Sequence, residues 1–193
     1  MEKYYETICD SFNYYKNIKN CEVEFRFGKI GRSSFDTNVG ADVFAQVLRR
    51  LKKYTEWEKI ETTETEVFYY DNNIRYSLCG DNSKTIQKTK VKKTDYSFGD
   101  NFPFDIRFCV STEKPVEYQS QESSRMVNKY RESFIRKNLS IDMTIISGDP
   151  TDPDAEEEQI YQIELEIIDP TKVQTENELF ALIYKIQCIF DII

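Results

Sequence analysis

Two strand-like segments, one near each end of the sequence, carry a pair of glutamates at alternate positions. Glu22 and Glu24 lie in CEVEFRFG, and Glu164 and Glu166 lie in YQIELEIID. Alternate residues of a strand share a face, so each segment presents two carboxylates side by side. Clustered carboxylates are the ligand type that Mg²⁺ and Mn²⁺ prefer in proteins. The spacing therefore indicates a site for Mg²⁺ or Mn²⁺, provided that the two segments meet in the fold.

One residue type is missing, and its absence narrows the chemistry. The sequence contains no histidine. This excludes Ser-His-Asp and Cys-His catalysis and removes the commonest zinc ligand. A general base would have to be Asp, Glu, Lys, Tyr or Cys. Oxygen ligands and metal-assisted hydrolysis are therefore the natural class of chemistry for this chain.

The segments between the two glutamate pairs carry most of the basic residues on their polar faces. Two carboxylates about 5 Å apart repel by roughly 3 kcal/mol at an effective dielectric of roughly 20, so either protons or a bound cation must relieve them. A polyphosphate bridged to the acids by a metal would satisfy both an acidic and a basic wall. Among the lysines of KTIQKTKVKK, one or two are expected to point inward, and Lys84, Lys92 and Lys93 are expected to lie on the surface.

The elements that must position these residues follow from hydrophobic periodicity. Helices are predicted at 2–19, 41–54 and 176–193, and strand patterns dominate from 55 to 169. A solvated sandwich face is the simpler interpretation of any one strand taken alone. The helices, however, need apolar surface to pack on, which leaves the inside of a barrel for the polar face.

We therefore predict an α+β, mainly antiparallel β fold: a closed β-barrel with helices packed outside. Residues 1–193 are expected to form one domain. The first and last strands of a closed sheet must meet. Closure would therefore bring the two glutamate pairs together in one metal site.

Net charge and cysteine content indicate which binding partners and which cellular compartment are expected. The formal net charge is −8, so a general nucleic-acid-binding coat of Lys and Arg is not expected. The five cysteines form no C-x-x-C pair and no signal peptide is visible, which predicts reduced thiols in an intracellular protein. No apolar run is long enough for a membrane span. The acidic stretch 148–158 is predicted to be a surface loop, and Trp57 a packing residue.

Several segments in order resemble the triphosphate tunnel metalloenzymes, specifically the RNA 5′-triphosphatases of the fungal, protozoan and large-DNA-virus type. CEVEFRFG is similar to the first-strand motif acid-x-acid-x-Arg-Phe-Gly of that family. DIRFCVSTEKPV resembles its D-x-R-x-S-x-S-x-E-x-P strand, IDMT its I-D-x-T strand and IELEI its last tunnel strand. The resemblance spans residues 21–169. Each motif is weak singly, and their order makes the signal specific.

The resemblance implies a metal-dependent polynucleotide 5′-phosphatase, an RNA 5′-triphosphatase that removes the γ-phosphate of 5′-triphosphate RNA in mRNA capping, with NTPs as further substrates. It implies that Mg²⁺ or Mn²⁺ is held by Glu22, Glu24, Glu164 and Glu166. The phosphates would contact Arg75, Lys88, Lys90, Lys129 and Arg131, with Arg26 and Arg107 as further ligands. Glu113 would act near the attacking water, and Asp142 and Thr144 would orient basic side chains or water.

Partners and origin also follow from the resemblance. A guanylyltransferase is the partner that capping implies, and the compact length is most similar to virus-encoded members, which act inside the host cell. Three positions depart from the family pattern. Val127 stands where arginine is usual, Ser140 where a basic residue often occurs, and Cys109 replaces a serine. Arg107 and Arg125 are candidates to supply the missing phosphate contacts.

Two other functions stay open at the level of sequence. An inorganic triphosphatase or a thiamine-triphosphatase-like enzyme would share the fold, but those enzymes carry E-x-E-x-K in the first strand, where this sequence has Arg26. A non-catalytic barrel would bind a small anion without turnover. Substrate choice separates the enzymes, and substitution of the glutamates separates both from the binding barrel.

Overall fold

The structure is a computed structural model, and it describes residues 2–99, 102–117, 122–148 and 159–193. The helices within these ranges are α1 (Glu2–Tyr15), α2 (Ala41–Lys53) and α3 (Glu176–Phe190). The strands are β1 (Cys21–Ile30), β2 (Phe35–Asp36), β3 (Lys59–Tyr70), β4 (Ile74–Cys79), β5 (Asn82–Tyr96), β6 (Asp105–Pro115), β7 (Arg125–Arg136), β8 (Leu139–Ser147) and β9 (Ile160–Ile167). Short 3₁₀ turns occupy Asp71–Asn73 and Pro170–Lys172.

The strands form a closed antiparallel barrel. Neighbours follow the order β1, β6, β5, β4, β3, β7, β8, β9, and β9 pairs again with β1. At this closure Glu24 lies opposite Glu166 and Arg26 lies opposite Glu164. The predicted closed barrel is confirmed, and so is the meeting of its first and last glutamate-bearing strands. The short β2 lies outside the barrel order and pairs only with the end of β1.

The outer face of the barrel is apolar and lies beneath the helices. In β1 and β9 the residues that alternate with the glutamates, such as Phe25 and Leu165, are almost fully buried. They belong to one core with Phe12 of α1 and Ile183 of α3. Burial of this face by helices leaves only the barrel interior for the polar face, as the sequence pattern predicted.

Local signals fix the ends of several elements. Helix α3 begins with a capping box, in which the Glu178 N–H donates to Thr175 Oγ1 at 3.2 Å and the Thr175 N–H donates to Glu178 Oε2 at 3.0 Å. At Gly28 a Cβ would lie 2.0 Å from the Asp36 carbonyl oxygen. Only glycine allows β2 to approach β1 this closely.

Some boundaries differ from the predictions. Helix α1 ends at Tyr15 rather than at residue 19, and β3 begins at Lys59, ahead of the most apolar part of its segment. Strand β5 continues to Tyr96 because it pairs with β6 through Ile106. The predicted acidic loop 148–158 lies, beyond Gly148, outside the described residues.

Smaller predictions are also resolved. The Trp57 Nε1–H donates to the Leu51 carbonyl oxygen at 2.8 Å, and its ring packs 5.5 Å from that of Phe134, so Trp57 is a packing residue. All five cysteines lie in the described part of the chain and are free thiols. Among the described residues, no helix combines the length and apolarity needed to cross a membrane.

Candidate active site in the barrel interior

The barrel encloses a charged cavity of about 470 Å³. A second cavity of about 240 Å³ adjoins it, and both are lined by Glu24, Arg26, Arg75 and Lys88. The acids of the larger cavity are Glu22, Glu24, Glu113, Glu164 and Glu166, and its bases are Arg26, Arg75, Lys84, Lys88, Arg125, Lys129 and Arg131. The barrel interior therefore collects most of the residues predicted to form the site.

The glutamates at the closure are held by arginine. Arg26 Nη2 lies 2.8 Å from Glu24 Oε1. Arg26 Nε lies 2.8 Å from Glu164 Oε1, close enough for an ion pair although its N–H does not have hydrogen-bond geometry there. Glu24 and Glu164 side chains are each only 7% exposed, so this charge balance is made away from bulk water. Arg26 was predicted to bind phosphate, and here it neutralises carboxylates.

The pKa values of the four glutamates diverge. Burial and the neighbouring Glu164 raise the pKa of Glu24. Burial, Glu22 and Asp142 raise the pKa of Glu166 to about 8. The pattern is that of crowded carboxylates, which cannot all ionise without a compensating cation.

The other two glutamates have stronger cationic neighbours. Burial raises the pKa of Glu22, but Lys88 and a hydrogen bond from Ser111 outweigh it, so the net pKa is lowered. Burial likewise opposes ionisation of Glu164, and Arg26 and Arg131 outweigh it. Glu22 and Glu164 are therefore held as carboxylates by the chain itself.

The four glutamates offer the oxygen ligands that a divalent cation needs, but among the described residues they do not already surround one position. Four carboxylates lie on adjacent strands, and oxygen donors of this kind suit Mg²⁺ and Mn²⁺. The raised pKa of Glu166 shows unrelieved negative charge that such a cation would stabilise. Within the described part of the chain, however, no three acidic side chains converge as metal ligands. Glu22, Glu24 and Glu164 instead form ion pairs with basic side chains.

Lys88 joins β5 to the acids of β1 and β6. Its Nζ forms an ion pair with Glu22 and lies 3.4 Å from Glu113 Oε1. Ser111 Oγ donates to Glu22 Oε2 at 2.8 Å, which completes this cluster. Glu113 also lies 3.4 Å from Lys84 Nζ. Glu113, placed by sequence near the attacking water, therefore does face the cavity, since β6 continues to Pro115 without losing its alternation.

Arg131 contacts three side chains on the neighbouring strands β8 and β9. It lies 3.1 Å from Asp142 Oδ2 and 3.4 Å from Glu164 Oε2, and its Nε–H donates to Thr144 Oγ1 at 3.0 Å. Ser140, one of the departures from the family pattern, donates to Asp142 Oδ1 at 2.5 Å. Asp142 and Thr144 are thus in contact with a basic side chain, in the arrangement that their predicted orienting role requires.

A second group of cations has no such partners. Among the described residues, Arg75, Lys90 and Lys129 form no ion pair, whereas Arg26, Lys88 and Arg131 do. The Arg75 guanidinium lies 5.2 Å from the Tyr69 ring centre. Burial lowers the pKa of Lys129 and outweighs the opposite effect of Tyr69 and Glu164, which favour its charged form. Arg125 lines the same cavity, two residues from Val127, and its guanidinium lies 5.9 Å from the Tyr69 ring.

The predicted phosphate contact of Arg107 is less favoured by its surroundings. Its Nε–H and Nη2–H donate to the two oxygens of Asp95 at 2.7 and 2.9 Å, and its guanidinium lies 4.5 Å from the Phe35 ring centre. The neighbouring Cys109 is buried, and burial and Glu24 raise its pKa to about 11, so this thiol is protonated. Arg107 lines only the smaller cavity.

Two lysines predicted to lie on the surface are exposed and also border a cavity. Lys84 borders the larger cavity and Lys93 the smaller one. Lys93 reaches the inside because the register of β5 against β6 shifts between Lys90 and Lys92. The sequence signal is only the lysine-rich run itself, since simple alternation cannot locate a bulge.

Comparison with known proteins identifies the family and the fold. A family model described as mRNA capping enzyme, beta chain, matches residues 33–181. No curated protein sequence matches the chain. The RNA triphosphatase Pct1 of S. pombe shares the fold with a TM-score of 0.82 and 16% identity over 96% of this chain and 91% of that one. Its complex with the Spt5 CTD gives 0.80 and 17% over the same shares.

A viral structure has the same fold. The RNA triphosphatase domain of a trifunctional mimivirus mRNA capping enzyme matches with a TM-score of 0.64 and 19% identity, over 100% of this chain and 98% of that chain. Because the family model spans more than half of the sequence, the chain belongs to the mRNA capping enzyme beta-chain family, the RNA triphosphatases of mRNA capping, and it has the triphosphate tunnel fold and hydrolase class that its motifs predicted.

Proposed function

We propose that this RNA 5′-triphosphatase works with Mg²⁺ or Mn²⁺ held by Glu22, Glu24, Glu164 and Glu166. The observation that carries the proposal is the barrel closure, which sets Glu24 opposite Glu166 on paired strands. The same cavity is lined by Arg75 and Lys129, which form no ion pair among the described residues. The bound cation would supply charge neutralisation and polarise a phosphoryl oxygen. The products are orthophosphate and a 5′-diphosphate RNA end.

The chain's own residues divide the remaining work. We assign phosphate binding first to Arg75, Lys90 and Lys129, because their charges are uncompensated within the described residues. Arg131, fixed by Asp142 and Thr144, is positioned to stabilise charge on the transferred phosphoryl group. Arg26 and Lys88 border both cavities and complete the phosphate-binding set.

Glu113 is assigned to positioning the attacking water. Its carboxyl group faces the cavity between Lys84 and Lys88, near the predicted phosphate ligands. A carboxylate there can accept a hydrogen bond from water and align it for in-line attack. This reaction needs no covalent nucleophile, in keeping with a chain that lacks histidine.

Substrate range, partners and setting belong to the same proposal. NTPs carry the triphosphate that the charged cavity would grip, so we propose NTP hydrolysis as a second activity. A guanylyltransferase partner, a viral origin and an intracellular setting are proposed on the family resemblance. The assignment of residues 1–193 to one domain likewise stays a prediction.

The test is γ-phosphate release from 5′-triphosphate RNA with Mg²⁺, with Mn²⁺ and with chelator. Glu24→Gln and Glu166→Gln keep side-chain shape and remove the charge, and we expect each to lower the rate by about 100-fold or more. Glu64→Gln on β3 is the matched control, because its neighbours Thr63 and Thr65 face the cavity and Glu64 is exposed. Equal rates for all three variants would refute the metal-site assignment.

The other hypotheses give different results in the same assay. Turnover of tripolyphosphate without release from RNA would indicate the inorganic triphosphatase. Anion binding without any turnover would indicate a non-catalytic barrel.

A further inference from the structure

An irregularity in β5 changes which lysines face the barrel interior. Lys90 lies opposite Ser111, but the register then shifts, so that Lys92 lies opposite Val110 and Lys93 opposite Cys109. Val110 is fully buried in the apolar core, although it also borders the smaller cavity, which Cys109 and Ser111 line together with Glu24. The bulge therefore brings Lys93, and not Lys92, onto the inner face beside Lys90.

The smaller cavity is strongly basic as a result. Its charged lining consists of Arg26, Arg75, Lys88, Lys90, Lys93 and Arg107, against the single carboxylate of Glu24. Arg26, Lys88 and Arg107 already pair with carboxylates. Among the described residues, Arg75, Lys90 and Lys93 do not. These three cations form no ion pair within the described part of the chain, and their position around about 240 Å³ favours an anion of high charge density. Lys93 also lies near Asp95, whose pKa is lowered by Arg107 and further by Lys93.

We propose that Lys93, with Lys90 and Arg75, forms a second phosphate subsite next to the one that holds the triphosphate. The proposal rests on the proposed function in one respect, since it takes the larger cavity as the place of the reacting phosphates. The two cavities share Arg26, Arg75 and Lys88, so a phosphate that extends or departs from the reaction site meets these cations next. With one carboxylate in its lining, the smaller cavity suits an anion and not a metal ion.

The ligand is a phosphate group, and it has two sources. It is either a phosphodiester of the RNA beyond its 5′ end or the orthophosphate that hydrolysis releases. Single-stranded nucleic acids are gripped by grooves of positive charge that follow the backbone, and released orthophosphate carries the same chemistry.

A direct measurement of ligand binding tests the subsite independently of phosphate release. We would titrate the whole chain, without metal, with a short 5′-diphosphate RNA and separately with inorganic phosphate, using wild type, Lys93→Ala and Lys92→Ala. Lys92→Ala is the matched control because it removes the same charge from the opposite face of β5, where Lys92 lies opposite Val110. We expect Lys93→Ala to weaken one of the two ligands by about tenfold and Lys92→Ala to leave both near wild type. If the RNA is the ligand, the slope of log Kd against log salt should also decrease by about 0.7 in Lys93→Ala.

The affinities for RNA and for inorganic phosphate identify the ligand of the subsite. Weaker binding of RNA alone assigns the subsite to the RNA backbone, and weaker binding of inorganic phosphate assigns it to the product. Equal affinities of Lys93→Ala and Lys92→Ala for both ligands overturn the subsite, even if the enzyme is fully active. Absence of phosphate release by wild type would instead overturn the proposed function, and the binding comparison would still decide the subsite.

Discussion

The glutamate wall and the cation end of the barrel interior balance their charges in opposite ways. The glutamate wall consists of Glu22, Glu24, Glu164 and Glu166, and the chain supplies cations to it from Arg26, Lys88 and Arg131. The cation end consists of Arg75, Lys90 and Lys129. Within the described residues it has no carboxylate partner, and burial lowers the pKa of Lys129.

Charged groups in the first region stabilise the folded protein by pairing with each other, whereas the cations in the second region are available to bind a ligand. Cations at the glutamate wall stabilise buried carboxylates, so removing one leaves a buried charge unpaired. Burial of Lys129 at the cation end opposes its charge, so this ammonium lowers stability until an anion binds. Sites that hold such unfavourable charge are typical of proteins that give up stability for function.

The largest expected effect comes from the glutamate wall. Arg131→Met would leave Asp142 and Glu164, whose side chains are 4% and 7% exposed, without one of their cations. We expect the free energy of unfolding to decrease by about 3 kcal/mol, near the low end for broken buried pairs because Arg131 itself is 32% exposed. Urea denaturation measures this change.

Arg75→Met is the matched control for that experiment. This substitution removes an arginine that lines the cavity and lies 5.2 Å from the Tyr69 ring centre. Its effect on the free energy of unfolding should therefore stay within about 1 kcal/mol. Equal losses of stability in Arg131→Met and Arg75→Met would contradict the division between the two regions.

The next effect is a pH dependence at the glutamate wall. The pKa of Glu166 is raised from 4.5 to about 8, so between these values the folded chain holds a proton that the unfolded chain has released. The folded state is therefore favoured most at low pH, and this contribution decreases as pH rises to about 8. Glu166→Gln cannot titrate, so its stability relative to wild type should increase over this window and then become constant.

Thermal unfolding in chelator from pH 5 to 9 tests this prediction. Glu64→Gln, on the exposed face of β3, should run parallel to wild type throughout. A constant difference between Glu166→Gln and wild type across the range would show that Glu166 has an ordinary pKa.

The smallest effect is expected at the cation end, and its sign is opposite. Lys129→Met keeps a long side chain and removes a charge that burial disfavours, so we expect stability to increase by about 1 kcal/mol. Phosphate release should nevertheless decrease strongly, because an anion contact is lost. Lys84→Met, whose side chain is 65% exposed in wild type, should change stability by less than about 0.5 kcal/mol. Destabilisation by Lys129→Met would place Lys129 with the glutamate wall instead.

Alternation along the strands was enough to sort the two faces of the barrel. Phe25 and Leu165 are buried outside, and Glu24 and Glu164 face inside, because a slip by one residue would reverse every side chain. The same rule correctly placed Glu113 in the cavity, although Pro115 stands near it.

Alternation failed where a strand is irregular or where partners come from distant segments. The bulge in β5 moved Lys93 inward, and only the pairing of β5 with β6 reveals it. The forked contact of Arg107 with Asp95 likewise depends on that register. A sequence pattern records the face of a residue but not the neighbour that the fold places beside it.

The sequence by itself determined the chemistry available to this protein: paired carboxylates, strands with basic residues and no histidine, in the order of a known family. Period-two patterning under helices also determined the closed barrel. The tertiary structure decided which charges meet. Closure set Glu24 beside Glu166, and side-chain packing gave Arg26 and Arg131 to the glutamates while Arg75 and Lys129 stayed unpaired within the described residues. Charge pairing depends on distance and burial in three dimensions, and these are properties of the folded barrel rather than of any one segment.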